Sequence, residues 1–142
     1  DSLGKFVVVQ ERDPLRLLAC QARVSDTRSA TDRDRHVVSL CERIAHYLEN
    51  KGMVDLIVLL ELCTLHYSRE VFESLDDLAE PLDGPSVERF AELARRTGAM
   101  AVFGMARRAK SGFRISQVIL STTGELAGYY DKMHLCQYGA SC

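Results

Sequence analysis

The sequence predicts a layered α/β domain, and three observations carry the prediction. Two segments repeat apolar residues at helical spacing, each lies between short aliphatic runs, and a glycine-bearing turn joins two further such runs toward the C-terminus. Strands separated by helices build a parallel sheet, and the hairpin adds antiparallel pairing to it.

In order along the chain, residues 1–14 hold Phe6-Val7-Val8-Val9 and then a polar stretch closed by Pro14, and they read as an N-terminal extension. Leu15 to Val24 is a compact apolar run ending in Ser25-Asp26-Thr27, as a buried strand would. Between Thr31 and Asn50 the residues Val37, Leu40, Cys41, Ile44 and Leu48 fall on one helical face, and Gly52 supplies a stop. Val54 to Leu60 is too short and too β-branched for a helix and suits a strand covered on both faces. Asp83-Gly84-Pro85-Ser86 opens a second helix, with Val87, Phe90, Ala91 and Ala94 on its apolar side and Gly98 at its end. Ala99 to Gly104 is the third strand. Residues 114–120 and 125–130 are the last two, joined by Ser121-Thr122-Thr123-Gly124, whose glycine can take a positive φ. The predicted order is therefore β-α-β-α-β-β-β.

Composition narrows the function classes. At 142 residues, 46% hydrophobic and 27% charged, the chain can bury one core. Eighteen basic side chains against twenty acidic ones leave a net charge of −2, which gives no field favouring nucleic acid or an anionic membrane. No apolar run approaches the roughly 20 residues of a membrane span, and Asp1 to Lys5 does not lead into a hydrophobic signal segment. Five cysteines without CxxC pairs, Cys20, Cys41, Cys63, Cys136 and Cys142, read as thiols in a reducing compartment, so a cytoplasmic location is expected.

Glu61 directly follows the second strand and so emerges where open α/β sheets place ligands. A carboxylate there serves either as a general base, which burial would favour, or as a polar strand end meeting solvent. Lys132 likewise follows a strand, a position that solvated surface lysines also occupy.

Around both residues the sequence is similar to one family. Leu56-Ile57-Val58-Leu59-Leu60-Glu61-Leu62-Cys63-Thr64 resembles the strand-plus-glutamate motif of the nitrilase-superfamily carbon–nitrogen hydrolases. Tyr129-Tyr130-Asp131-Lys132-Met133-His134-Leu135 resembles the family's tyrosine, lysine and histidine-leucine segment. Gln21 late in the first strand, Asp83-Gly84-Pro85 before a helix, Phe103-Gly104 ending a strand and Thr123-Gly124-Glu125 in the hairpin agree in order and spacing. The resemblance covers residues 15–142. It implies a four-layer α-β-β-α sandwich, of which this chain is about the first half. It also implies a cysteine thioester mechanism on a small amide, nitrile or carbamoyl substrate, with no cofactor and no metal, in a homo-oligomer when complete. In that mechanism Glu61 is the base, Lys132 stabilises the tetrahedral intermediate and His134 is a hydrogen-bonded supporting residue.

The nucleophilic cysteine of the family lies on a later strand, so it is expected downstream of Cys142. Cys136 falls inside the lysine segment and Cys142 ends the sequence, and neither is expected to be catalytic; Cys63 is expected to pack. Leu60 stands in place of a usual proline, Asp131 in place of a basic residue, Arg107 where many members carry a second glutamate, and Ile115 where asparagine is common. Those departures keep a second class in view, a non-catalytic assembly or binding module. A metal site from Cys63, His66, His134, Cys136 and Cys142 lacks the paired spacings of structural zinc.

Overall fold

A computed structural model of the chain describes residues 14–133, so residues 1–13, His134, Cys136 and Cys142 lie outside the described residues. The elements are β1 (Leu17–Ala19), α1 (Ala30–Lys51), β2 (Leu56–Val58), α2 (Arg69–Glu73), α3 (Leu75–Leu78), α4 (Pro85–Thr97), β3 (Met100–Ala109), β4 (Gly112–Leu120) and β5 (Leu126–Asp131). One five-stranded sheet follows chain order, β1-β2-β3-β4-β5, with β1, β2 and β3 parallel and β3, β4 and β5 antiparallel.

Both long helices form where their signals stand. Ser29 caps α1 by accepting from the Asp32 N–H at 3.1 Å, and Gly52 closes it with φ 99°. The five residues that predicted its apolar face, Val37, Leu40, Cys41, Ile44 and Leu48, are all buried. Pro85 starts α4 and Gly98 ends it in the left-handed region, its N–H donating to the Ala94 carbonyl at 2.9 Å. Phe90 of α4 stacks on Phe103 of β3 with ring centroids 4.1 Å apart. These helices cover one face of the sheet. The other face carries the partly exposed Leu17, Met100 and Tyr130.

Three expectations change. The first two strands, expected over Leu15–Val24 and Val54–Leu60, each shrink to three residues, because only Leu17–Ala19 and Leu56–Val58 pair in the sheet. The third strand runs past Gly104 to Ala109, because β4 pairs with it from Ala101 to Ala109 through the two-residue turn Lys110-Ser111. Two short helices, α2 and α3, interrupt what was read as an unassigned stretch. They bury Val71 and Leu78 in a second small core with Leu62, Leu65, Ala79 and Ala106.

Candidate active site

Glu61 is placed by the way β2 ends. The Leu59 N–H donates to the Val102 carbonyl at 2.9 Å and the Gly104 N–H to the Leu60 carbonyl at 3.1 Å. The chain then turns at Glu61-Leu62, and the Cys63 N–H returns to the Gly104 carbonyl at 3.0 Å. This two-residue excursion presses the Glu61 peptide onto Gly104. A β-carbon built there would overlap the Glu61 carbonyl group and come within 2.7 Å of the Leu60 carbonyl oxygen, so the turn requires glycine beside it.

Lys132 arrives from the other side of the sheet. Asp131 pairs with Ser116, and one residue on the Lys132 N–H donates to the Ile115 carbonyl at 2.8 Å, which extends the β4–β5 ladder. Because side chains alternate along a strand, Lys132 faces the side opposite Asp131, the side that Gly104 and Glu61 occupy. Its Nζ lies 2.5 Å from Glu61 Oε1. The structure thus brings together the two residues singled out from sequence, at the end of the parallel strands.

Of the two settings open to Glu61, burial and a solvent-facing strand end, the described residues give the more exposed one. The Glu61 side chain is 49% exposed and that of Lys132 30% exposed, because the excursion lifts Glu61 onto the sheet face opposite α1 and α4. A cavity of about 1020 Å³ lies between residues 23–28 and 66–78 and is lined by neither residue.

Cys63 is a poor nucleophile by its surroundings. Its thiol is buried and donates to the Gly104 carbonyl at 3.4 Å, and burial pushes its pKa up to about 12. The His36 ring shares a 2.8 Å hydrogen bond with the Cys63 carbonyl, which fixes the segment after Glu61 from the helix side. Among the described residues no group of three His, Cys, Asp or Glu side chains is arranged to hold a metal ion.

Two ion pairs escaped the sequence reading. Arg107 and Asp131, each of which departs from the family pattern, bind each other, with Nη2 to Oδ2 at 2.7 Å. Arg107 pulls the Asp131 carboxyl below the usual carboxylate range, and the Ser116 hydroxyl adds to that effect against the opposing cost of burial. The second pair lies deeper: Arg33, 5% exposed, stands 3.5 Å from Glu80, 2% exposed. Glu80 also accepts from the Ser86 N–H at 2.8 Å, and Arg33 donates to the Leu78 carbonyl at 2.7 Å. Glu80 takes the place of β2 beside β3, where its N–H donates to Ala106 and its carbonyl accepts from Arg108. The residue types alone gave no sign of this, since Arg33 sits in a run of charged residues that reads as a solvated helix start.

A mixed sheet backed by α1 and α4 on one face, with a carboxylate and an ammonium joined at its strand ends, defines an α/β protein. The chain belongs to the carbon–nitrogen hydrolase family, whose sequence model matches residues 19–141. Among solved structures it is similar to a carbon–nitrogen hydrolase superfamily protein from Xanthomonas campestris that carries an arsenic adduct in its active site. The identity is 28%, the TM-score 0.66, and the match covers 86% of this chain and 42% of that one. Saccharomyces cerevisiae Nit3, a nitrilase-superfamily member, matches at 17% identity and TM-score 0.67 over 84% of this chain and 44% of its own. An N-terminal amidase matches at 15% identity and TM-score 0.73 over 86% of this chain and 28% of its own. The last two share the fold. No curated protein matches. The chain spans less than half the length of each of these solved chains, 28–44%.

Proposed function

We propose that residues 15–142 form the first half of a hydrolase domain that cleaves non-peptide carbon–nitrogen bonds in small amide, nitrile or carbamoyl substrates. Glu61 acts as base and Lys132 holds the oxyanion. The observation that carries this reading is the 2.5 Å approach of Lys132 Nζ to Glu61 Oε1 between two segments distant in sequence. A base and a cation that must serve one reacting carbon have to converge in this way.

The nucleophile would be a cysteine on a strand C-terminal to Lys132. On an amide, Glu61 takes the thiol proton, sulfur bonds to the carbonyl carbon, and Lys132 balances the charge on oxygen. Collapse breaks the C–N bond, and the amine leaves with the proton from Glu61. Water then attacks the thioester while Glu61 accepts its proton, and the thiol re-forms as the acid departs. No cofactor enters. The free thiols of Cys20, Cys41 and Cys63 support a cytoplasmic setting for such an enzyme.

The test uses the protein expressed from its complete reading frame. Glu61→Gln and Lys132→Met should each lower kcat on simple amides on the order of 10³-fold, and a thioester should be trapped by mass spectrometry on a cysteine beyond Lys132. Variants that keep more than about a tenth of the activity would remove both residues from the chemistry. Absence of both turnover and thioester would favour the non-catalytic module.

A further inference from the structure

We propose that Arg107 and Asp131 form a positioning clamp that sets the reach of Lys132 toward Glu61, an inference that rests on the function proposed above.

The clamp ties three adjacent strands at the level where Lys132 leaves the sheet. Arg107 on β3 donates from Nη2 to Asp131 Oδ2 at 2.7 Å and from Nε to Asp131 Oδ1 at 3.3 Å. The same Nε lies 3.1 Å from Ser116 Oγ on β4. The Ser116 hydroxyl donates to Asp131 Oδ1 at 2.6 Å, so both carboxylate oxygens are occupied. The guanidinium carbon also stands 4.8 Å from the centre of the Tyr129 ring. One side chain therefore holds residues 129 and 131, which share a face of β5, and fixes the strand by two handles immediately before Lys132.

The geometry gives the clamp its consequence. Asp131 and Lys132 point to opposite faces, so the ion pair to Arg107 does not compete with the one to Glu61 and acts only through the backbone between them. The Lys132 Nζ to Glu61 Oε1 contact is already at 2.5 Å on an open surface. Freeing residue 131 to move by on the order of 1 Å would separate the pair and misplace the oxyanion-holding charge. The two departures from the family's residue types are thus complementary. The resemblance led to an acid at 107 and a base at 131; the chain has a base at 107 and an acid at 131, and the two bind each other.

The experiment compares Arg107→Gln, Arg107→Glu and the double variant Arg107→Glu/Asp131→Arg in the protein from its complete reading frame. One readout does not depend on turnover: acylation of Lys132 by an amine-directed ester, measured by peptide mass spectrometry against the exposed Lys51 and Lys110. Arg107→Glu should raise the relative labelling of Lys132 about threefold as its amine leaves Glu61, Arg107→Gln should fall between, and the double variant should return to the wild-type ratio. Where hydrolysis is measurable, Arg107→Glu should lower kcat about tenfold with KM within about twofold, and the exchanged pair should restore most of it.

Unchanged labelling in Arg107→Glu, or a double variant that behaves like the single one, overturns the clamp. If Arg107→Glu does not fold, Arg107→Gln decides on the same ratio. A protein without hydrolase activity that still shows the labelling pattern keeps the clamp and sinks the proposed function; activity with unchanged labelling does the reverse.

Discussion

Gly104→Ala is the substitution in which local geometry bears most directly on the candidate site. The new methyl would be driven into the Glu61 carbonyl group and would sit 2.7 Å from the Leu60 carbonyl oxygen. Non-bonded carbons rest at about 3.5–4.0 Å, so the Glu61 peptide has to retreat by on the order of 1–2 Å. That movement breaks or stretches the Gly104 N–H to Leu60 bond and the Cys63 N–H to Gly104 bond, at 3.1 and 3.0 Å. Two backbone bonds at about 0.5–1.5 kcal/mol each, with an overpacking cost of about 1–3 kcal/mol, give a destabilisation of about 2–6 kcal/mol. Equilibrium denaturation measures it, and hydrogen exchange at the Gly104 and Cys63 amides locates it.

Gly128→Ala in the same sheet is the control. Nothing lies within 4 Å of a β-carbon built at Gly128, so that variant should stay within about 0.5 kcal/mol of wild type. A Gly104→Ala protein as stable as Gly128→Ala, with unchanged exchange at Cys63, would refute the reasoning. The turn that presents Glu61 would then not depend on close backbone approach.

Four further outcomes follow from the charges and thiols. Arg33→Met leaves the buried Glu80 side chain without its ion-pair partner, so it should cost about 3–5 kcal/mol by denaturant midpoint, and adding Glu80→Gln should recover part of that. Burial raises the Cys41 and Cys63 thiols from the usual 9.0 to about 12, so a thiol reagent at neutral pH should label the half-exposed Cys20 first and the other two only on unfolding. The same upward shifts mean that folded stability is intact below about pH 9 and declines between about pH 9 and 12, when unfolded thiols ionise and folded ones do not; Cys63→Ala should reduce that decline. For Asp131 the sign is opposite, because Arg107 lowers its carboxyl. Its contribution is full above the unfolded value of about 4 and is lost as pH falls through the lower folded value, and Arg107→Gln should flatten that acid limb in denaturation measured against pH.

What was legible in the sequence is what depends on near neighbours. The faces of α1 and α4, their proline and glycine punctuation and the positive φ of Gly124 are local requirements, and the residues met them where expected. The helices α2 and α3, of five and four residues, are too short to show a period, although Ser68 capping the Val71 N–H is a signal that could have found the first of them. β3 was cut short at Gly104 because Arg107 and Arg108 look like the end of an apolar run. The register shows each of them paired across to β4, and their charges are met by Asp131 and by the Asp76 and Ala79 carbonyls.

The site itself turns on a parity that residue types do not display. Along β4 and β5 the partners are Ile119 with Gly128 but Leu120 with Leu126, so Ala127 is an extra residue on β5, a bulge. Without it every later residue of β5 would slip by one, and a slip of one exchanges the two faces of a strand. Asp131 would then stand opposite Ile115 on the Glu61 side, and Lys132 would point toward the helices, beyond reach of Glu61. With the bulge, Asp131 meets Ser116 and Arg107 on one face while Lys132 meets Glu61 on the other. The Glu61–Lys132 pair therefore depends on two backbone irregularities, the turn over Gly104 and the bulge at Ala127. A pattern reader sees regular strands at both places, which is why the motif residues could be named from sequence while their meeting could only be expected.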